Sequence, residues 1–169
     1  ITSTYPQDGR AKIKITPKRD FVFALRLPKW GGEFDYNKAF WVKDGYAYIS
    51  ISEETEIQLN FEMKPKMIKC SNRVRANTDK IAVTKGPFVY CAEEVDNGRN
   101  LQMLKIAANP DFECRGDCII ANGFREKESD LLYEEWSEPQ KEKTRIKLIP
   151  YYRWGNRGEN EMSVYLRKE

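Results

Sequence analysis

Residues 21–27, Phe-Val-Phe-Ala-Leu-Arg-Leu, place Phe21, Phe23, Leu25 and Leu27 at every second position, with Val22, Ala24 and Arg26 between them. A period of two sends alternate side chains to opposite faces, so this stretch predicts a strand buried on one side. Pro28 ends it, because proline has no N–H to give to a ladder. The same alternation recurs in residues 46–52 (YAYISIS) and 56–63 (EIQLNFEM). Residues 81–94 (IAVTKGPFVYCAEE) predict two strands broken at Gly86-Pro87. Two more follow at TRIKLIPYY and EMSVYLRK, joined by the Gly/Asn-rich RWGNRGEN. Shorter candidates are 11–16, 67–70, 101–107 and 118–121. No segment makes a convincing helix. The best attempt, REKESDLLYEEW (125–136), has a narrow apolar stripe and reads as a loop, a short turn or an edge strand.

Many short strands with turn signals between them predict an all-β chain, an antiparallel β-sandwich, with two packed lobes. Parallel βαβ folds would need helices that are absent from the pattern. The polar, turn-prone stretch 93–100 (EEVDNGRN) sets the expected boundary, giving a first lobe over 1–97 and a smaller second lobe over 98–169. The second lobe is small for an independent core.

Composition narrows the chemistry. The chain has 169 residues, enough for one ordinary domain or two small ones, and contains no histidine. Ser-His-Asp, Cys-His and HExxH chemistries are therefore closed to these residues alone. Its 29 basic and 26 acidic residues leave a net charge of +3. The basic residues are interspersed with acidic ones, unlike a phosphate-tracking stripe, so no nucleic-acid partner is expected. No apolar run is long enough to span a membrane, and no signal peptide is visible. The chain begins at Ile1, as expected of a piece of something longer, and the compartment stays open between cytoplasm and periplasm.

Three groups of residues are candidates for chemistry. Cys114 and Cys118 flank Arg115-Gly116-Asp117, which admits an adhesion loop, half a metal site, a redox pair or a hairpin tip. A three-residue hairpin loop with Gly116 at positive φ would set the two cysteines opposite each other, about 4.5–5.5 Å apart at Cα. Disulfides accept that separation, so the pair is a candidate disulfide. Cys-x3-Cys with two lone cysteines lacks zinc-ligand spacing, and Cys70 and Cys91 fit strand interiors. The pairs Glu53-Glu54, Glu93-Glu94 and Glu134-Glu135 cannot converge if they lie on strands, where neighbours point apart. Of the aromatics, which include Trp41 and Trp136, the candidates for sugar stacking or a lobe interface are Trp30, Tyr151, Tyr152 and Trp154. Alternation after Pro150 sends Tyr152 and Trp154 to one side, with Trp154 expected to be buried against the first lobe.

Four ordered stretches carry a family resemblance: TYPQDGRAKIKI near the start, FALRLPKW, KGPFVYCAEEVDN, and LIPYYRWGNRGENEMSVYL at the end. They are similar to the Tyr-Pro-Trp-Asp-Gly, Leu-Arg-Ile-Pro-x-Trp, Arg-Gly-Pro-Leu-Val-Tyr-Cys and Pro-Tyr-Tyr-x-Trp-x-Asn-Arg-Gly segments of the C-terminal β-sandwich region of glycoside hydrolase family 127. That family is the β-L-arabinofuranosidase type. Gln7 departs from the pattern where tryptophan is usual, and ECRGDC stands where Leu-Gly-Gly-type residues are common.

The resemblance implies a preceding (α/α)6 barrel that carries the catalysis, with a zinc-bound cysteine nucleophile and a glutamate acid/base. None of those positions falls in this chain, so no catalytic residue, metal ligand or cofactor is expected here, and zinc is expected in the parent's barrel. The expected partner is that barrel, with a homodimer as a further option. The leading expectation is a non-catalytic accessory module of a glycoside hydrolase. The alternative is an independent carbohydrate-binding module with a Trp/Tyr stacking platform.

Overall fold

A computed structural model describes residues 1–31, 39–129 and 131–169; Asp130, within the expected 125–136 loop, lies outside the described residues. The chain is built almost wholly of strands, as the alternation predicts, and divides into two units, Ile1–Lys64 and Pro65–Glu169.

The first unit holds β1 (Thr2–Ser3), β2 (Arg10–Ile15), β3 (Phe21–Arg26), β4 (Phe40–Lys43), β5 (Tyr46–Ile51) and β6 (Thr55–Asn60). They form two antiparallel three-stranded sheets, ordered β1-β2-β6 and β3-β5-β4. Register places Ile13 opposite Ile57 in one sheet and Phe23 opposite Ile49 in the other. Both sheets turn these apolar residues to one core, which buries Ile13, Ile49, Ile51, Ile57 and Leu59.

The second unit holds β7 (Pro65–Lys69), β8 (Lys80–Lys85), β9 (Phe88–Glu93), β10 (Leu104–Ile106), β11 (Phe112–Arg115), β12 (Cys118–Glu126), β13 (Lys141–Pro150), β14 (Met162–Ser163) and β15 (Leu166–Lys168). Here the pairings close on themselves instead of forming separate stacked sheets. β8 gives one edge to β7 and divides the other between β9, at Val83–Lys85, and β15, at Lys80 and Ile81. Following the ladders from β9 through β13, β12 and β10 to β15 then returns to β8. All of these pairings are antiparallel except β10 with β15. Each strand of the ring points side chains inward: Ile81 and Val83, Tyr90 and Ala92, Leu104 and Ile106, Ile119 and Ala121, Ile146 and Leu148, and Leu166. Closure gives every strand of the ring a neighbour on both edges, leaving β7, β11 and β14 with one neighbour each.

The boundary expected at 97/98 is displaced to 64/65. Residues 93–97 are no linker. Glu94–Asn97 make one helical turn, α1, and Asn97 clamps β13 by accepting from the Lys147 N–H and donating to the Lys147 carbonyl, both at 2.9 Å. Cutting there would remove β8 and β9 from the ring. Residues 131–140 carry no strand, and Leu131, Leu132 and Trp136 are exposed. Among the described residues no helix is long and apolar enough to cross a membrane.

Candidate functional site

The structure brings Tyr151, Tyr152 and Trp154 together but not by alternation. Pro150 closes β13 while still opposite Tyr90, and the chain then tightens into a 3-10 turn over Tyr151–Arg153. The Trp154 N–H donates to the Tyr151 carbonyl at 3.2 Å. A turn of three residues cancels the period of two, so Tyr152 leans on Phe88, with ring centres 5.5 Å apart, while Trp154 pairs with Tyr151 at 6.4 Å. All three remain exposed, Tyr152 at 60% and Trp154 at 43%. The expected burial of Trp154 therefore fails.

Beneath this arm lies a cluster of charges. Glu93 ends β9 with no exposed surface. Its carboxylate accepts from the Gly155 N–H at 2.8 Å and from the Arg157 guanidinium. Arg157 also reaches Asp96, at 2.5 Å, and Lys147 approaches the same carboxylate at 2.8 Å. Burial pushes the Glu93 carboxyl up, but the bonds from Arg157 and Gly155 with the guanidinium charge outweigh it and hold Glu93 below its ordinary value. Asp96 is lowered chiefly by Arg157, against some desolvation, with help from Lys147. Two carboxylates fixed as anions by paired cations serve as anchors for the aromatic arm and are poor proton donors near neutral pH. Glu94, the first residue of α1, turns away to Arg99, at 3.1 Å, so Glu93 and Glu94 diverge where the strand gives way to a helical turn. Sequence reasoning did not find this cluster. Its one visible signal was an acidic residue closing the otherwise apolar run FVYCA.

Trp30 sits in the other unit. Its ring stacks on Tyr5, with centres 6.1 Å apart and planes 13° from parallel, and meets Phe61 edge-on at 5.8 Å. The three rings line a groove of about 620 Å³ whose rim includes Arg26, Lys29 and Tyr46. That volume and an aromatic wall with a few polar groups suit a small ligand.

The disulfide expectation is corrected by register. Arg115 pairs with Cys118 and Cys114 with Ile119, so the loop is two residues, Gly116-Asp117, rather than three. Gly116, at φ 60°, takes the first turn position, the glycine place in a two-residue hairpin. One residue of slip sends Cys114 and Cys118 to opposite faces, and all four thiols are free. Burial pushes the Cys91 thiol up to about 11, with Glu93 adding to the effect, which makes it an inert core residue. Among the described residues no three of the Cys, Asp and Glu side chains gather as a metal site. The residues present do not fit the zinc that the family resemblance implies for its barrel.

Comparison with known proteins follows this geometry. A non-reducing end β-L-arabinofuranosidase of Bifidobacterium longum subsp. longum is 29% identical over 98% of this chain, which spans 30% of that protein. The crystal structure of a GH127 β-L-arabinofuranosidase from Geobacillus stearothermophilus T6 superposes with a TM-score of 0.87 at 34% identity, over 99% of this chain and 30% of that one. A GH127 β-arabinofuranosidase gives 0.81 at 27% identity, over 99% and 31%. The chain thus spans about a third of the length of these relatives. Residues 65–167, nearly the whole second unit, match the family model described as the glycoside hydrolase family 127 C-terminal domain. On that match the chain belongs to glycoside hydrolase family 127.

Proposed function

We propose that these 169 residues form a non-catalytic accessory module of a glycoside hydrolase acting on arabinofuranosides, supporting a barrel that lies elsewhere in the parent protein. One observation carries this reading: the chain aligns over nearly its whole length with arabinofuranosidases yet makes up only 30% of them. The chemistry, with the zinc it uses, is assigned to the remainder. Within this chain the buried carboxylate Glu93 is committed to Arg157 and Gly155, which supports a structural role.

Complementation tests the proposal. The upstream region of the parent, expressed without residues 1–169, is expected to be poorly soluble or weakly active on an aryl arabinofuranoside. Adding the chain in trans, or restoring it in the same polypeptide, is expected to recover activity. Full activity of the upstream region alone would remove the supporting role.

A second reading, an independent carbohydrate-binding module, is favoured by the Tyr5–Trp30–Phe61 groove. It predicts that an arabinose-containing oligosaccharide quenches tryptophan fluorescence, and that Trp30→Ala abolishes the quenching.

A further inference from the structure

The two outer faces of the first unit differ in kind. On the β1-β2-β6 sheet the outward positions are charged and paired across strands, Lys12 with Glu56 at 2.8 Å and Lys14 with Glu54 at 2.7 Å. That is how a sheet face that meets water is built. On the β3-β5-β4 sheet, register places Ala24, Tyr48 and Trp41 in one row across the outward face, and Arg26, Tyr46 and Lys43 in the next. Val22 extends the apolar part along β3. Trp41 is 48% exposed and Val22 51%. Among the described residues neither Arg26 nor Lys43 has an ion-pair partner. A contiguous exposed apolar face of this kind marks an interaction surface.

We infer that this face, centred on Trp41 and Tyr48, is the seat for the remainder of the parent protein, which meets it with apolar side chains and sets carboxylates against Arg26 and Lys43. The inference rests on the accessory reading and names the surface that reading needs. Relatives carry more than twice as much chain again outside the matched span, which on the accessory reading supplies a large partner surface in the same polypeptide. The make-up of the face argues against a sugar as occupant. Trp41 and Tyr48 stack on each other, centres 5.4 Å apart and planes 12° from parallel, and so form one continuous apolar block across β4 and β5. The aliphatic Val22 and Ala24 beside them offer a sugar no hydrogen bonds but suit a packed protein surface.

Hydroxyl-radical footprinting of the unmodified full-length parent, read by mass spectrometry at Trp41 and Tyr48, tests this directly. The expected result is oxidation several-fold slower than in the 169-residue chain, independent of protein concentration and unaffected by added oligosaccharide. Arg26→Glu with Lys43→Glu in the parent is expected to raise the Trp41 rate toward that of the isolated chain. Equal rates in parent and chain would overturn the inference. So would protection that appears only at high concentration, which means a second copy, or only with an arabinose-containing oligosaccharide, which means a sugar. None of these results bears on whether the chain itself is catalytic, so the two readings fail separately.

Discussion

Glu93 and Arg157 show what a single residue does in this molecule. The carboxylate has lost all contact with water, and its compensation comes chiefly from the Arg157 guanidinium and the Gly155 N–H, with a smaller contribution from Asn160. Removing Arg157 leaves a buried charge without its cation. Arg157→Ala is therefore expected to destabilise by about 2–3 kcal/mol, less than for a fully buried pair because Arg157 itself is partly exposed. Glu93→Gln in that background should recover part of the loss, measured by urea melts. The pH dependence follows from the depressed carboxyls of Glu93 and Asp96. Their stabilisation is complete above the ordinary value of 4.5 for Glu and 3.8 for Asp, where the unfolded chain is also ionised, and is lost as pH falls through the lower folded values. The gap between parent and Arg157→Ala should be full near neutral pH and shrink below about 4.5. A gap that widens in acid would contradict the assignment.

At the scale of elements, the β11–β12 hairpin and the β10–β12 crossing make the sharpest expectations. With the two-residue turn, Cys114 and Cys118 cannot bridge. All four cysteines should be alkylated in denaturant without reductant, and reductant should leave the melting temperature unchanged. A reductant-sensitive melt would restore the three-residue loop. Gly123, opposite Ile106, has no room for a side chain: a Cβ there would meet the Lys105 carbonyl and lie 2.7 Å from Ile146 Cδ1. Gly123→Ala is expected to cost about 1–3 kcal/mol in the same melts, as overpacking does. These details also mark how far the sequence could be read. Strands such as Tyr46–Ile51 and Thr55–Asn60 were legible because one face is buried and the other meets water, which writes a period of two. Phe40–Lys43 and Phe112–Arg115 were not, since four residues give too few alternations to register. The hairpin register turned on one residue of loop length, which composition does not encode. Tyr151–Arg153 departs from the alternation expected after Pro150 because a local 3-10 turn overrides it. The charge cluster under it joins residues 93, 96, 147 and 157, far apart in sequence, and is visible only once the strands are paired.

For the whole molecule, the two units place the chain's aromatic candidates in separate settings. Trp30 lines a groove in the first, and Tyr151, Tyr152 and Trp154 form an exposed arm anchored by ion pairs in the second. Neither setting assembles a nucleophile with a proton donor, and histidine is absent throughout. Because Trp154 is exposed, Trp154→Ala is expected to shift stability by about 1 kcal/mol or less, as surface changes usually do. The arabinofuranosidases that the chain resembles are about three times its length, and the proposed division of labour leaves the chemistry to the rest of the parent. Release of nitrophenol from an aryl β-L-arabinofuranoside by the purified 169-residue chain, with added zinc and against the full-length parent at equal concentration, tests it most directly. Turnover by the parent and none above buffer by the chain is the expected result. Turnover by the chain alone that disappears on chelation would contradict it.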